Sequence, residues 1–302
     1  MVSFNDMKKP AGRSISDESI YYACFKTLSV PLLRRAGIAC TASIFFNFFF
    51  RQYRAALLPG RAPVTRVDHQ LDAKIPFNPR LVGVYLDFVS FWVRMLSFLL
   101  RKFRRRAYAP VRDFLDSMGR LYAFAAEIYS ENFSTTRRPF YIARPRFFLI
   151  HLADPHLMCV PSLHVMVVIR TYTKFRSMLR DMNEEERLPE RIEELRRGSL
   201  AITEAVLYVK QHSVNCISAA MYAMTCFDRG LFPPEEAERF ASDLFRGTGR
   251  PSGGDGERIR EHILGLYRRF LDEGERAAYW TEPLLSFLRG LPAVTAVHSP
   301  RV

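Results

Sequence analysis

The sequence predicts an all-α protein, a membrane-embedded bundle of about five to six helices with a soluble helical C-terminal tail. Three observations lead there. Aromatic and aliphatic residues crowd into runs such as "SIFFNFFF" (Ser43–Phe50) and "FVSFWVRMLSFLL" (Phe88–Leu100). Charge lies mostly outside those runs, Arg94 apart, and arginine supplies most of a formal net charge of +13. Helical periodicity recurs along the chain, whereas little alternates as a strand does. The 302 residues suffice to bury a core. A mean hydropathy of −0.08 is low for six full spans, so fewer spans or a partly peripheral protein also fits.

Residues 1–28 read as a polar leader with a short amphipathic segment and no cleavable signal. The bundle is expected over 29–227. Its first apolar run, Ala36–Phe50, is bracketed by arginines and covers about 22 Å as a helix, against about 30 Å of hydrocarbon. Leu81–Leu100 is the best expected span. Asp87 and Arg94 lie seven residues apart on one helix face, where a shared partner or an interior surface lowers their cost. "RKFRRR" (Arg101–Arg106) follows at once and reads as a cytoplasmic anchor near anionic lipid.

Val111–Tyr129 is helical by its period but carries several charges, so it spans only if its polar face looks into a bundle. A helix opens at Pro161 and runs through "VMVVIRTYTKF". The mixed-charge stretch Arg176–Arg197 reads as solvated, and Ser199–Gln211 and Ser213–Phe227 as two short apolar helices around His212. Residues 228–302 form the expected tail. There "PPEEAERFASDLFRG" opens on proline and acids and closes on glycine, "GTGRPSGGDG" is a joint, and "ERIREHILGLYRRFLDEGE" is amphipathic.

Five cysteines (Cys24, Cys40, Cys159, Cys216, Cys226) form no CxxC pair, which argues against a disulfide scaffold or a structural zinc site. A basic chain favours phosphate-rich partners. Because aromatics and arginines do not interleave, an anionic membrane is expected and nucleic acid is not.

Three short elements carry the candidate chemistry, in order: Arg137 followed after six residues by Arg144-Pro145, then "PSLH" ending at His164, then "KQH" ending at His212. Together they resemble the type-2 phosphatidic acid phosphatase and vanadium haloperoxidase superfamily, whose motifs are Lys-x6-Arg-Pro, Pro-Ser-Gly-His and Ser-Arg-x5-His-x3-Asp. The leucine of the second motif and the Lys-Gln-His form of the third are similar to the inositol phosphorylceramide synthase-like phosphotransferase branch. The resemblance covers about residues 80 to 227.

It implies a lipid phosphatase or phosphotransferase without cofactor or metal, embedded in a membrane with its site toward the extracytoplasmic face. His212 would be the nucleophile, forming a phosphohistidine, and His164 the general acid. Arg137, Arg144, Lys210 and the helix opening at Ser162 would seat the phosphate.

The sequence departs from the family pattern at three places. Arg137 replaces the first lysine, Val206 stands where the third motif has arginine, and Cys216 stands where it has aspartate. Cysteine cannot replace a carboxylate as acceptor, and Glu204 or Asp154 are the candidate substitutes. The alternative reading is a catalytically impaired member that serves as a membrane binding or scaffold protein. His151 and His156, flanking "LADP", read as helix caps or loop packing, and "PSGGDG" (Pro251–Gly256) as a linker.

Overall fold

The computed structural model describes residues 14–58, 63–139, 141, 143, 145–247, 251 and 254–293, the side chains at 149 and 151–153 excepted. It is 74% helical, as an all-α protein should be. The helices are α1 (Ile20–Ser29), α2 (Pro31–Ile44), α3 (Arg51–Leu57), α4 (Val82–Leu86), α5 (Phe88–Phe103), α6 (Tyr108–Glu131), α7 (Pro145–Ala153), α8 (Leu163–Asp181), α9 (Pro189–Tyr208), α10 (Val214–Phe227), α11 (Pro234–Asp243), α12 (Asp255–Gly274) and α13 (Glu282–Arg289). A π-helical stretch, Phe45–Phe50, joins α2 to α3.

Helix α8 is the axis of the molecule, with α5, α6, α9 and α10 packed around it. Every residue from Val165 to Thr173 is buried, which explains why this segment is apolar on all sides rather than on one stripe. The exception is Arg170, 3% exposed. Its guanidinium donates to Ser117 Oγ and to Asp228 Oδ2, both at 2.6 Å, and lies over the Phe227 ring. Helix α2 packs closely on α6, where Gly119 lets the backbone of Cys40 approach and its carbonyl accepts from Ser43 Oγ at 2.7 Å.

The stretch Leu81–Leu100 is broken at Asp87 into α4 and α5, and Asp87 pairs with Arg94 across the break. Met95–Leu100 are buried against neighbouring helices. No single described helix is long and apolar enough to cross a membrane. Two bent pairs reach that length and composition together, Ile20–Ser29 with Pro31–Leu57 at 113° and Pro79–Leu86 with Phe88–Glu131 at 40°.

The segment after Phe227 is docked on the bundle. Helix α12 buries Ile259, Ile263, Tyr267 and Phe270 against α10, with Ser218 Oγ donating to the Ile263 carbonyl at 3.0 Å. A small parallel sheet, β1 (Val64–Arg66) with β2 (Phe133–Thr135), pairs Val64 with Phe133 and Arg66 with Thr135. Sequence periodicity could not announce two three-residue strands.

The Arg170–Asp228 pair yields a test of the packing. Asp228→Ala leaves a buried guanidinium short of its partner and is expected to cost roughly 3 kcal/mol in urea denaturation. The double variant Arg170→Met, Asp228→Ala should recover most of that loss.

Candidate functional site

Two loops build the site, and each is fixed by its own hydrogen bonds. The first precedes α8. Ser134 of β2 is fully buried, and its hydroxyl accepts from the main-chain N–H groups of Cys159 (3.1 Å) and Val160 (2.7 Å). Its N–H donates to the Leu157 carbonyl at 2.9 Å. Tyr129 donates its hydroxyl hydrogen to the Pro161 carbonyl. Ser162 is then the N-cap of α8, and His164 lies in the first turn.

The second loop joins α9 to α10. Lys210 takes a left-handed conformation (φ 57°), which turns the chain so that the N–H groups of Gln211 and His212 both donate to the Val206 carbonyl. Ser213 caps α10 by accepting from Asn215 N, while Asp72 Oδ1 accepts from Val214 N at 2.9 Å. The loops are joined where Ser162 N donates to the Cys216 carbonyl at 3.5 Å.

That junction brings the two motif histidines together. His212 Nε2 lies 3.2 Å from His164 Nδ1, with ring centroids 5.3 Å apart at 65°. Tyr85 stacks on His164 at 4.7 Å and Phe88 flanks it at 4.3 Å, so aromatic rings wall the pair. A third imidazole, His156, has its ring 6.3 Å from His212. Its Nε2 is 2.7 Å from Thr136 Oγ1, and its main-chain N–H donates to Asp154 Oδ1 at 2.9 Å. Arg138 donates to Gln211 Oε1 (3.2 Å) and to the Asp154 carbonyl (3.0 Å), and pairs with the Asp154 carboxylate at 3.6 Å.

Of the buried polar atoms among the described residues that lack a hydrogen bond of ordinary geometry, two are at the site, Ser162 Oγ and His212 Nδ1, although the Cys159 backbone lies close enough to His212 to favour its protonated form. Helix α8 likewise has no side-chain cap, so its first N–H groups point into the same corner with the positive end of the helix dipole. An uncapped helix end beside a free hydroxyl has the donors that an anion needs.

Electrostatics keep the imidazoles neutral. Burial pushes His164 down to about 4. His212 is held well below the ordinary histidine value, first by burial and then by His164 and His156. His156 is lowered by burial and by Arg138, against Asp154. Burial works to raise Asp154, but hydrogen bonds from His156 and the charges of His156 and Arg138 overcome it, so that carboxyl stays well below the usual range. Burial also drives the Cys216 thiol far up, so it remains a neutral thiol. The 3.2 Å contact is therefore a hydrogen bond between neutral rings, one donating and the other accepting.

Of the other sequence-derived candidates, Ser162 is at the site. Lys210 is not: its ammonium donates to the carbonyls of Asp72 and Ile75 and clamps the preceding loop, because the left-handed turn sends the side chain outward. Arg137 is exposed and is held by its main-chain N–H on Asp68 Oδ1. Its neighbour Arg138 faces the cluster instead. Arg144 and the side chain of His151 lie outside the described residues.

Glu204, pushed up to about 7 by burial, accepts from Phe245 N at 2.6 Å and serves the C-terminal packing, not His212. Asp154 is the acid beside the histidines, and it reaches them through His156. Sequence reading missed Arg138, Thr136, Ser134 and Tyr85. The adjacent arginine in "RRPF" was the one available signal: motif spacing points to Arg137, and the neighbouring Arg138 is the one that bonds Gln211 and Asp154. Among the described residues no group of three His, Cys, Asp or Glu side chains is placed to hold a metal ion.

Comparison of the chain with family models, with curated proteins and with solved structures finds no match.

The buried neutral rings fix a sign for pH dependence. The unfolded chain binds protons near 6.5 that folded His164 refuses until about 4, so its contribution to stability is complete above 6.5 and is lost as pH falls toward 4. Glu204 acts oppositely, since its raised value favours the folded state as pH falls through 7. His164→Gln should therefore flatten the fall in urea stability between pH 6.5 and 4 by up to about 1.4 kcal/mol per unit.

Proposed function

We propose that this chain is a lipid phosphate phosphatase or phosphotransferase that works through a phosphohistidine on His212. The observation that carries the reading is the 3.2 Å approach of His212 Nε2 to His164 Nδ1, joining two motifs that lie 48 residues apart. Three features support the reading. A neutral His212 offers a lone pair on Nε2. The uncapped end of α8 and Ser162 Oγ supply donors for equatorial phosphoryl oxygens. Arg138 adds fixed positive charge behind Gln211.

The step balances simply. His212 Nε2 forms a bond to phosphorus as the bond from phosphorus to the lipid oxygen breaks, and the leaving alkoxide takes a proton from His164. Neutral His164 then accepts a proton from water, or from an acceptor alcohol, whose oxygen attacks phosphorus as the N–P bond breaks. A phosphate dianion between the rings favours protonated His164, offsetting the burial that otherwise keeps it neutral. Reacting atoms must sit about 3 Å from each imidazole, so the rings part to admit the phosphoryl group. Tyr85 and Phe88 then exclude water from the developing charge.

One observation favours a second reading, an impaired member of the same kind that binds without turnover. The position expected to hold a carboxylate is the neutral thiol Cys216, and His212 Nδ1 makes no hydrogen bond of ordinary geometry to any described side chain. Loss of such an orienting carboxylate costs on the order of 10⁴ in turnover in serine proteases.

Phosphate release from phosphatidate or lysophosphatidate in detergent micelles decides between the readings. His212→Asn should lower release by at least about 10³-fold, and unchanged release would falsify the assignment. Cys216→Asp should raise turnover by more than about tenfold if the site works short of its orienting acid. No release from either the native chain or Cys216→Asp would favour the binding role.

A further inference from the structure

We infer that α1 and the turn between α5 and α6 form a membrane-docking surface, in which a basic cleft receives an anionic phospholipid headgroup and an adjoining apolar stripe enters the bilayer interface. The inference does not rest on the chemistry at His164 and His212. The cleft, about 660 Å³, is lined by Tyr22 and Lys26 of α1, Phe103 at the end of α5, and Arg104, Arg105 and Arg106 in the turn. It lies apart from the histidine site and shares no residue with it.

The charges in the cleft are of two kinds. Arg106 is occupied within the fold, donating to the Met182 carbonyl at 2.8 Å and to Glu184 at 3.3 Å. Lys26, Arg104 and Arg105 have no acidic partner among the described residues, although Arg104 and Arg105 are exposed and Lys26 half-buried at the same opening. Elsewhere arginines commonly find carboxylates, as Arg176 and Arg180 both do on Glu185. Arg104 also holds a positive φ of 50°, a conformation that is costly for a non-glycine residue and that the turn imposes. Three uncompensated cations around a cleft that Tyr22 and Tyr108 also line make a seat for a phosphate diester, whose oxygens take several donors.

The neighbouring surface selects a lipid over a free anion. On α1, Tyr21, Phe25 and Leu28 are 79%, 65% and 60% exposed, and they fall at the i, i+4, i+7 spacing of one helix face. Tyr22 and Lys26 follow directly on Tyr21 and Phe25, so the cationic and apolar faces of α1 are adjacent, about 100° apart around the helix. Beyond the 113° bend, Ile38 and the phenylalanines 45, 46, 49 and 50 are exposed as well, with Arg34 and Arg35 at one end and Arg51 and Arg54 at the other.

Apolar residues beside lysine and arginine are the composition of a helix that lies in a membrane interface. A second copy of this chain would meet like charge there, and nucleic acid would leave the aromatic stripe in water.

Flotation of the full chain with vesicles tests this. The chain should float with phosphatidylcholine vesicles doped with phosphatidylserine and much less with phosphatidylcholine alone. Lys26→Glu with Arg105→Glu should weaken flotation at least tenfold, from about fivefold per basic side chain near an anionic surface. Phe25→Ser with Leu28→Ser, at exposed positions that the fold does not need, should weaken it comparably. Hydrolysis of a water-soluble phosphate ester serves as the measure of the other site and should not change in any of these variants.

Equal flotation of either double variant and the native chain overturns the proposal, and so does absence of flotation on both vesicle types. Displacement from anionic vesicles by inorganic pyrophosphate, with the same affinity for the cleft in solution, also overturns it and assigns the cleft to a free phosphate. Self-association through the apolar stripe, seen as a dimer in light scattering that the serine variant abolishes, counts against it as well.

Discussion

The contact between His164 and His212 exists because two loops distant in sequence are each pinned before they meet. Ser134 and Tyr129 fix where α8 begins, and the left-handed Lys210 with Asp72 fixes where α10 begins. The bond from Ser162 N to the Cys216 carbonyl then joins the two helix starts. Each of these bonds is worth only about 1 to 3 kcal/mol. Their effect is geometric: they set the two helix starts so that His164 and His212 come into contact. The axial helix α8, buried on every side from Val165 to Thr173, anchors that geometry to the core.

Placing imidazoles at this depth has an electrostatic consequence. Burial among Tyr85, Phe88 and the core makes positive charge costly, so the rings rest neutral and share one hydrogen bond. The surrounding charges are held back from them: Arg138 and Asp154 largely satisfy each other, with His156 and Gln211 between them and the pair. His212 Nδ1 makes no hydrogen bond of ordinary geometry, and one helical turn on from His212 stands the neutral thiol of Cys216.

Much of this was readable from the residues. Helix periodicity gave the all-α class, proline and serine gave the start of α8, and the ordered motifs brought His164, His212 and Ser162 to one place. What failed to show has physical reasons. Lys210 carries the right charge at the right spacing, but a positive φ turns its side chain to the carbonyls of Asp72 and Ile75. Arg137 and Arg138 are indistinguishable by type, and the hydrogen bond from Arg137 N to Asp68 leaves Arg138 to face Gln211.

The apolar run Leu81–Leu100 looks the same whether neighbouring helices or lipid cover it, and here α8 and α1 cover much of it. The strands that hold Ser134 are too short for any period to register.

The most direct test looks for the covalent intermediate. The native chain is mixed with a phosphatidate labelled in its phosphate, quenched in alkali, where an N–P bond survives, and mapped by mass spectrometry. The account requires phosphate on the His212 peptide within the time of turnover, lost on acidification and absent in His212→Asn. Turnover with no phosphate on His212, or with phosphate on another side chain, would contradict it.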